Sequence, residues 1–287
     1  MRKIIERLLV FIIGIPAVFA LVFLLPYYNH LALNITVIVF SAIGALEFSF
    51  MLEKKNIKIS KIEAVILGSL APLAATIVLG LYITDIIIIL IMLLGILWAL
   101  LSAIFTKKEN INNITNRFVG CISVIIYPGF FMLWLVLMSM WENSSAIFLF
   151  LLIVFFNDSA AWLFGSLFGK NNRGIISVSP NKSIAGFIGG MVGSVAAAVG
   201  AFYLFPNIFY YDNLTHISNL LLNVFTLGFL TGIFASLGDL AESAIKRSCE
   251  FKDSGNMMLG RGGILDSIDS IAVSAPIYFI LFSLLFF

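Results

Sequence analysis

Apolar positions in this chain do not alternate; they come in long runs. Stretches of roughly 18 to 23 predominantly apolar residues recur from end to end, each long enough to cross about 30 Å of hydrocarbon as a helix. The runs predict nine transmembrane helices, at about 8–26, 31–52, 62–82, 84–105, 118–140, 146–165, 186–206, 217–238 and 268–287. The expected fold is therefore all-α and polytopic. No polar stretch exceeds about 30 residues, which leaves no room for a separate water-soluble domain. The chain reads as one membrane domain, 1–287. Helices within 1–140 serve as scaffold, and the half from 146 to 287 carries the polar chemistry. The start, Met-Arg-Lys-Ile-Ile-Glu-Arg, has the basic flank of a signal peptide. The run from Leu8 to Pro26 is too long for such a peptide and lacks a small-residue cleavage site, so it is read as a retained span.

Composition agrees with this pattern. Of 287 residues, 61% are hydrophobic and only 11% charged, too few to cover a soluble domain of this size. The mean hydropathy is +1.09. A net charge of +2 gives no reason to expect nucleic acid as a partner. Cys121 lies in an apolar run and Cys249 in a basic loop, a spacing that fits neither a disulfide framework nor a zinc site. His30 and His216 stand far from the other polar clusters, which argues against histidine-based metal or acid–base chemistry.

The 17 basic residues set an orientation. With the N-terminus in the cytoplasm, the inside segments hold Arg2, Lys3 and Arg7, then Lys54, Lys55, Lys58 and Lys61, then Lys107, Lys108 and Arg117. They continue with Lys170, Arg173 and Lys182, and end with Lys246, Arg247, Lys252 and Arg261. The outside loops hold none, but do carry Asp85, Glu142 and Asp212, with Tyr27, Tyr28, Trp141, Tyr210 and Tyr211 at headgroup level. A nine-span protein with a cytoplasmic N-terminus thus obeys the positive-inside rule throughout.

Within the spans, Gly186, Gly190 and Ser194 recur every four residues, as do Gly189, Gly193 and Ala197, a spacing that lets helices approach closely in lipid. Two inward segments are more polar than a connection requires. The first runs from Asn157-Asp158-Ser159 through Lys170 to Ser179-Pro180-Asn181-Lys182-Ser183. Asp158 reads either as a functional carboxylate, costly to place in the membrane, or as a helix-end group reaching interfacial water. Glu47, alone inside the second span, is open to the same two readings.

The second segment runs from Gly238 to Asp269. Asp239, Glu242, Ser243, Lys246 and Arg247 fall on one stripe of a helix, an amphipathic extension of the eighth span. Lys252, Asp253 and a glycine-rich turn follow, and then Asp266 and Asp269 share a face at the start of the last span. Each piece has a plain reading: acidic residues favour helix starts, cations set topology and glycines make turns. Together they suit a divalent cation held by hard oxygen ligands and polyphosphate held by Lys and Arg, with the turn's amides free to approach a phosphate. Neither a Gly-x-x-x-x-Gly-Lys-Ser/Thr loop nor a Gly-x-Gly-x-x-Gly after a strand is present, which excludes the common soluble nucleotide folds.

These residues resemble the phosphatidate cytidylyltransferases. The family signature has the form Ser-x-x-Lys-Arg, Lys-Asp-x-Gly, Gly-His-Gly-Gly and Asp-Arg-x-Asp. In that order and spacing the chain offers Ser243, Lys246, Arg247, Lys252, Asp253, Gly255, Gly260, Gly262, Gly263, Asp266 and Asp269. Gly238 to Ser243, Asn157-Asp158 and Ser179-Pro180-x-Lys182 match as well, so the likeness covers roughly the C-terminal half. The N-terminal half resembles the family in hydropathy and its basic start. Arg261 stands where the family has His, Ser267 where it has Arg, Leu259 where it has Pro and Ala185 where it has Glu. Arg261 keeps a positive charge, whereas Ser267 removes one.

The resemblance implies that phosphatidic acid attacks the α-phosphorus of CTP in the cell (inner) membrane, on the cytoplasmic side, giving CDP-diacylglycerol and pyrophosphate. It implies Mg²⁺, as one or two ions, held by Asp239, Asp266 and Asp269. Lys246, Arg247, Lys252 and Arg261 would hold the triphosphate or the lipid phosphate, Asp253 would serve the catalytic site as a further candidate metal ligand, and Asp158, Ser179, Lys182, Ser243, Gly262 and Gly263 would line the nucleotide site. A homodimer is also implied. Two rival readings stand beside this one. A relative acting on another lipid phosphate is prompted by Arg261 and Ser267. A transporter fits less well, because the polar groups gather at one interface and no internal repeat is evident.

Overall fold

In the computed structural model, which describes residues 13–105, 108–209, 219–258 and 262–287, apolar helices lie along the predicted runs. They are α1 (Ile13–Leu24), α2 (Tyr27–Glu53), α3 (Lys61–Leu81), α4 (Ile86–Ser102), α5 (Ile111–Trp141), α6 (Ser144–Phe168), α7 (Ile184–Leu204), α8 (Leu220–Ser248) and α9 (Leu265–Phe286). Seven are long and apolar enough to cross a membrane; α1 and α4 are shorter. The all-α, polytopic expectation holds. A backbone in hydrocarbon must satisfy its own hydrogen bonds, which is why the apolar runs and the helices coincide.

Three boundaries carry physical information. Tyr28, Asn29 and His30 adopt left-handed dihedrals, φ 53°, 55° and 56°, so regular helix in α2 begins at Leu31. In α5, Pro128 has no N–H to give the helix, and the chain widens into a π-turn over Ile125–Phe130. α8 extends ten residues past the apolar run, as the Asp239 to Arg247 stripe requires.

The chain divides into two compact units, Met1–Met140 with Lys246–Ile268, and Trp141–Ile245 with Asp269–Phe287. The signature segment from Lys246 to Ile268 thus belongs with the N-terminal helices. In the first unit, α2, α3 and α5 meet at small residues. The Ser41 hydroxyl lies against the carbonyls of Gly68, at 2.7 Å, and Pro128. A side chain at Gly68 would stand 2.2 Å from Ala45 Cβ. α3 starts with a cap in which Ser60 Oγ accepts from Glu63 N at 3.2 Å. Both Glu63 oxygens take Arg117 Nη2 at 2.8 Å, and Trp98 Nε1 adds a further bond, tying α3, α4 and α5 together.

In the second unit, α6 and α7 pack almost backbone to backbone. A Cβ at Gly189 would sit 2.4 Å from Phe164 Cβ, and one at Gly193 would sit 2.6 Å from the Phe156 carbonyl. The four-residue spacing of small residues is therefore a packing device, as expected. Asn143 caps α6 by accepting from Ala146 N at 3.0 Å, and Ser183 caps α7 by accepting from Gly186 N at 3.0 Å. Buried Tyr278 of α9 donates to the Ala146 carbonyl at 2.7 Å.

Gly68→Ala should destabilise the protein by about 1–3 kcal/mol, since the added methyl has no space. Gly80→Ala, with nothing within 4 Å of the new Cβ, should not. Thermal unfolding in detergent checks this: the first variant melts lower, the second at or above wild type.

Candidate functional site

The predicted residues fall into two clusters, one in each unit. In the first unit the helical extension of α8 buries Lys246 and leaves Arg247 exposed. The Lys246 ammonium pairs with Asp266 Oδ1, with side-chain exposures of 11% and 6%. Asp266 Oδ2 accepts from Gly263 N at 2.7 Å, Ser254 N at 2.8 Å and Ser254 Oγ at 2.9 Å. Both oxygens of this carboxylate are therefore engaged. The chain leaves α8 through a turn in which Phe251 N donates to the Lys246 carbonyl at 2.8 Å and Arg247 Nη1 donates to the Phe251 carbonyl at 3.2 Å. Lys252 and Asp253 follow, exposed, on the loop. Arg261 lies outside the described residues.

Glu47 was isolated in the sequence but is not isolated in the fold. Buried in α2, it accepts from Ser254 Oγ at 3.0 Å, Ile264 N at 3.0 Å and Leu265 N at 2.8 Å. Among the described residues of the glycine turn, the amides are likewise spoken for. Gly262 N donates to the Met258 carbonyl at 3.2 Å, Gly263 N to Asp266, and the next two to Glu47. In this structure protein oxygens occupy the amides that had been expected to approach phosphate. Gly262 takes φ +104°, and a Cβ there would stand 2.5 Å from Asp266 Oδ2, so only glycine fits.

In the second unit, Lys182 Nζ pairs with Asp239 Oδ2 at 2.6 Å, joining the loop after α6 to α8. Lys182 is placed by a short turn in which its N–H donates to the Ser179 carbonyl at 3.1 Å. Asp269 is buried, its Oδ1 accepting from Ser270 N at 2.6 Å, and the charges of Asp239, Glu242 and Asp158 all act on it. Asp158 Oδ1 lies 3.5 Å from Ser270 Oγ. Ser243 is half-buried on the same face of α8 as Asp239. Beside them Asn157 is fully enclosed. Its amide is satisfied when Nδ2 donates to the carbonyls of Gly190 and Gly232, at 3.1 and 3.2 Å, and Oδ1 accepts from Ser236 Oγ at 3.1 Å.

Asp269 and the three carboxylates that act on it, with Lys182 paired to Asp239, supply the hard oxygen donors that Mg²⁺ takes. Among the described residues, no three acidic, Cys or His side chains stand in a metal-holding arrangement, so the fit rests on donor chemistry. Ser254, Ser236 and Ser270 are the participants that sequence reasoning missed, and Glu47 was left open between function and a helix-end role. A carboxylate inside an apolar run was the one available signal, and it pointed to Glu47.

Comparison with known proteins identifies the family. The model of the cytidylyltransferase family matches residues 5–285. A phosphatidate cytidylyltransferase of Staphylococcus haemolyticus is 40% identical over 130 residues, 45% of this chain and 46% of that protein. One from Staphylococcus aureus strain COL is 38% identical over 133 residues, again 45% and 46%. One from Staphylococcus saprophyticus is 32% identical over 189 residues, 66% and 67%. The matched stretch thus spans about half the length of the first two relatives and two thirds of the third. With a family match over nearly the whole length, and with the signature residues converging as described within each unit, the chain belongs to the cytidylyltransferase family.

Proposed function

We propose that this protein is a membrane-bound phosphatidate cytidylyltransferase, making CDP-diacylglycerol and pyrophosphate from CTP and phosphatidic acid. The observation that carries the reading is the nearly buried Lys246–Asp266 pair, built from two signature residues and locked by the signature's own serine and glycine amides. The relatives named phosphatidate cytidylyltransferase support the substrate class. A phosphate oxygen of the lipid attacks the α-phosphorus, the bond to the β-phosphate's bridging oxygen breaks, and pyrophosphate leaves. Such a transfer asks the protein for positioning and charge neutralisation rather than covalent chemistry.

Asp239 and Asp269 would hold Mg²⁺, with Asp158 beside them. Asp266 orients Lys246 and keeps a lone pair on Oδ1 for a cation. Such an ion would supply charge neutralisation at the phosphate oxygens. Lys246, Arg247, Lys252 and Arg261 contact phosphate, and Asp253 steadies the loop that carries Lys252. Lys182 turns from Asp239 to the nucleotide, while Ser179 and Ser243 donate to it. Gly262 and Gly263 shape the turn. The basic segments face the cytoplasm, where CTP is available, and the lipid enters from the bilayer.

The purified full chain, given CTP, phosphatidic acid and Mg²⁺, should release CDP-diacylglycerol and pyrophosphate. No product, with a Staphylococcus relative active alongside, contradicts the reading. Product from an isoprenoid phosphate but not from phosphatidic acid would move the substrate to another lipid phosphate.

Asp239→Asn should raise the Mg²⁺ concentration for half-maximal rate roughly 10- to 100-fold while the protein stays folded. An unchanged Mg²⁺ titration removes the assignment. Lys55→Cys, on the exposed loop after α2, should react with a membrane-impermeant thiol reagent in inside-out vesicles and stay protected in right-side-out ones. The reverse pattern overturns the orientation.

A further inference from the structure

We infer that Glu47 is a positioning residue for this site, acting through the turn that holds Asp266 and Lys246. Ionisable groups within transmembrane helices are costly and persist where partners meet them. Glu47 meets three donors from a stretch of chain 207 to 218 residues away. Two are the N–H groups of Ile264 and Leu265, at the start of α9. Helix-start amides lack intrahelical partners, and a negative charge there faces the positive end of the helix dipole. Glu47 thus caps α9 from another helix, a task usually left to a local Ser or Asp.

The third donor links Glu47 to Asp266. Ser254 Oγ lies 3.0 Å from Glu47 Oε2 and 2.9 Å from Asp266 Oδ2, standing between the two carboxylates. Ser254 and Gly263 each donate a backbone N–H to Asp266 while flanking Glu47. The glycines record the same constraint. A Cβ at Gly255 would stand 2.3 Å from Glu47 Oε1, and one at Gly263 2.4 Å from Oε2. Two glycines of the signature spacing therefore make room for this carboxylate. Asp266 keeps its own amide partners and Lys246 if Glu47 is altered, so the pair would survive but lose its fixed place. A rate effect without unfolding follows.

The kinetic part of the test rests on the cytidylyltransferase reading; a second part does not. The full chain carrying Glu47→Gln keeps side-chain size but turns an N–H toward a backbone N–H. Its kcat should fall roughly 10- to 100-fold, with KM for CTP within about twofold and melting close to wild type. A kcat within twofold of wild type overturns the inference. So does a loss that only tracks the unfolded fraction, which would mark a purely structural role. If Glu47→Gln does not fold, Ser254→Ala, which keeps the bonds to Ile264 and Leu265, should show the same split, and an unchanged kcat overturns the inference. Hydrogen exchange supplies the activity-independent part. The amides of Ile264 and Leu265 should exchange at least tenfold faster in Glu47→Gln, with α3 unaffected, and equal rates overturn the inference even if the wild type makes no product.

Discussion

A carboxylate in an apolar chain must be met by donors or by a cation, and both clusters follow from that constraint. The first unit answers with donors. Asp266 has Lys246, two backbone amides and a hydroxyl, and Glu47 has two helix-start amides and the same hydroxyl. The second unit answers differently. Asp239, Glu242 and Asp158 all act on the buried Asp269, while Lys182 pairs with Asp239. In one cluster donors meet both carboxylates; in the other, three like charges bear on one buried carboxyl group.

This division also explains what the glycine-rich turn does. Glycines beside a phosphate site are readily read as room for phosphate. Here Gly255 and Gly263 leave room for Glu47, and Gly262 leaves room for Asp266 while adopting a positive φ. The described part of the turn, from Gly262 on, is held from within the protein.

Much of the fold was legible because hydrocarbon imposes one rule on every span, so among the described residues the apolar helices fall on the predicted runs. The extension of α8 was legible from the spacing of Asp239, Glu242, Ser243, Lys246 and Arg247, since charged residues three and four apart need a helix to share a face. The close packing of α6 on α7 was legible from Gly189 and Gly193. The partners of Glu47 were not, because spacing reports neighbours along one element and these donors lie more than 200 residues on. Burial was equally hidden: Lys246 and Arg247 are adjacent in sequence, yet one is enclosed and the other exposed. Of the boundaries, the left-handed turn at Tyr28 to His30 had no residue signal beyond the end of an apolar run.

The central claim is that the charges gathered here move a cytidylyl group, not a phosphoryl group or an intact solute. The fate of label from CTP tests it most directly. With CTP labelled at the α-phosphorus, label should enter the lipid in step with release of unlabelled pyrophosphate; with CTP labelled at the γ-phosphorus, it should appear only in pyrophosphate. Label from the γ-position in the lipid, or from neither position, would contradict the account.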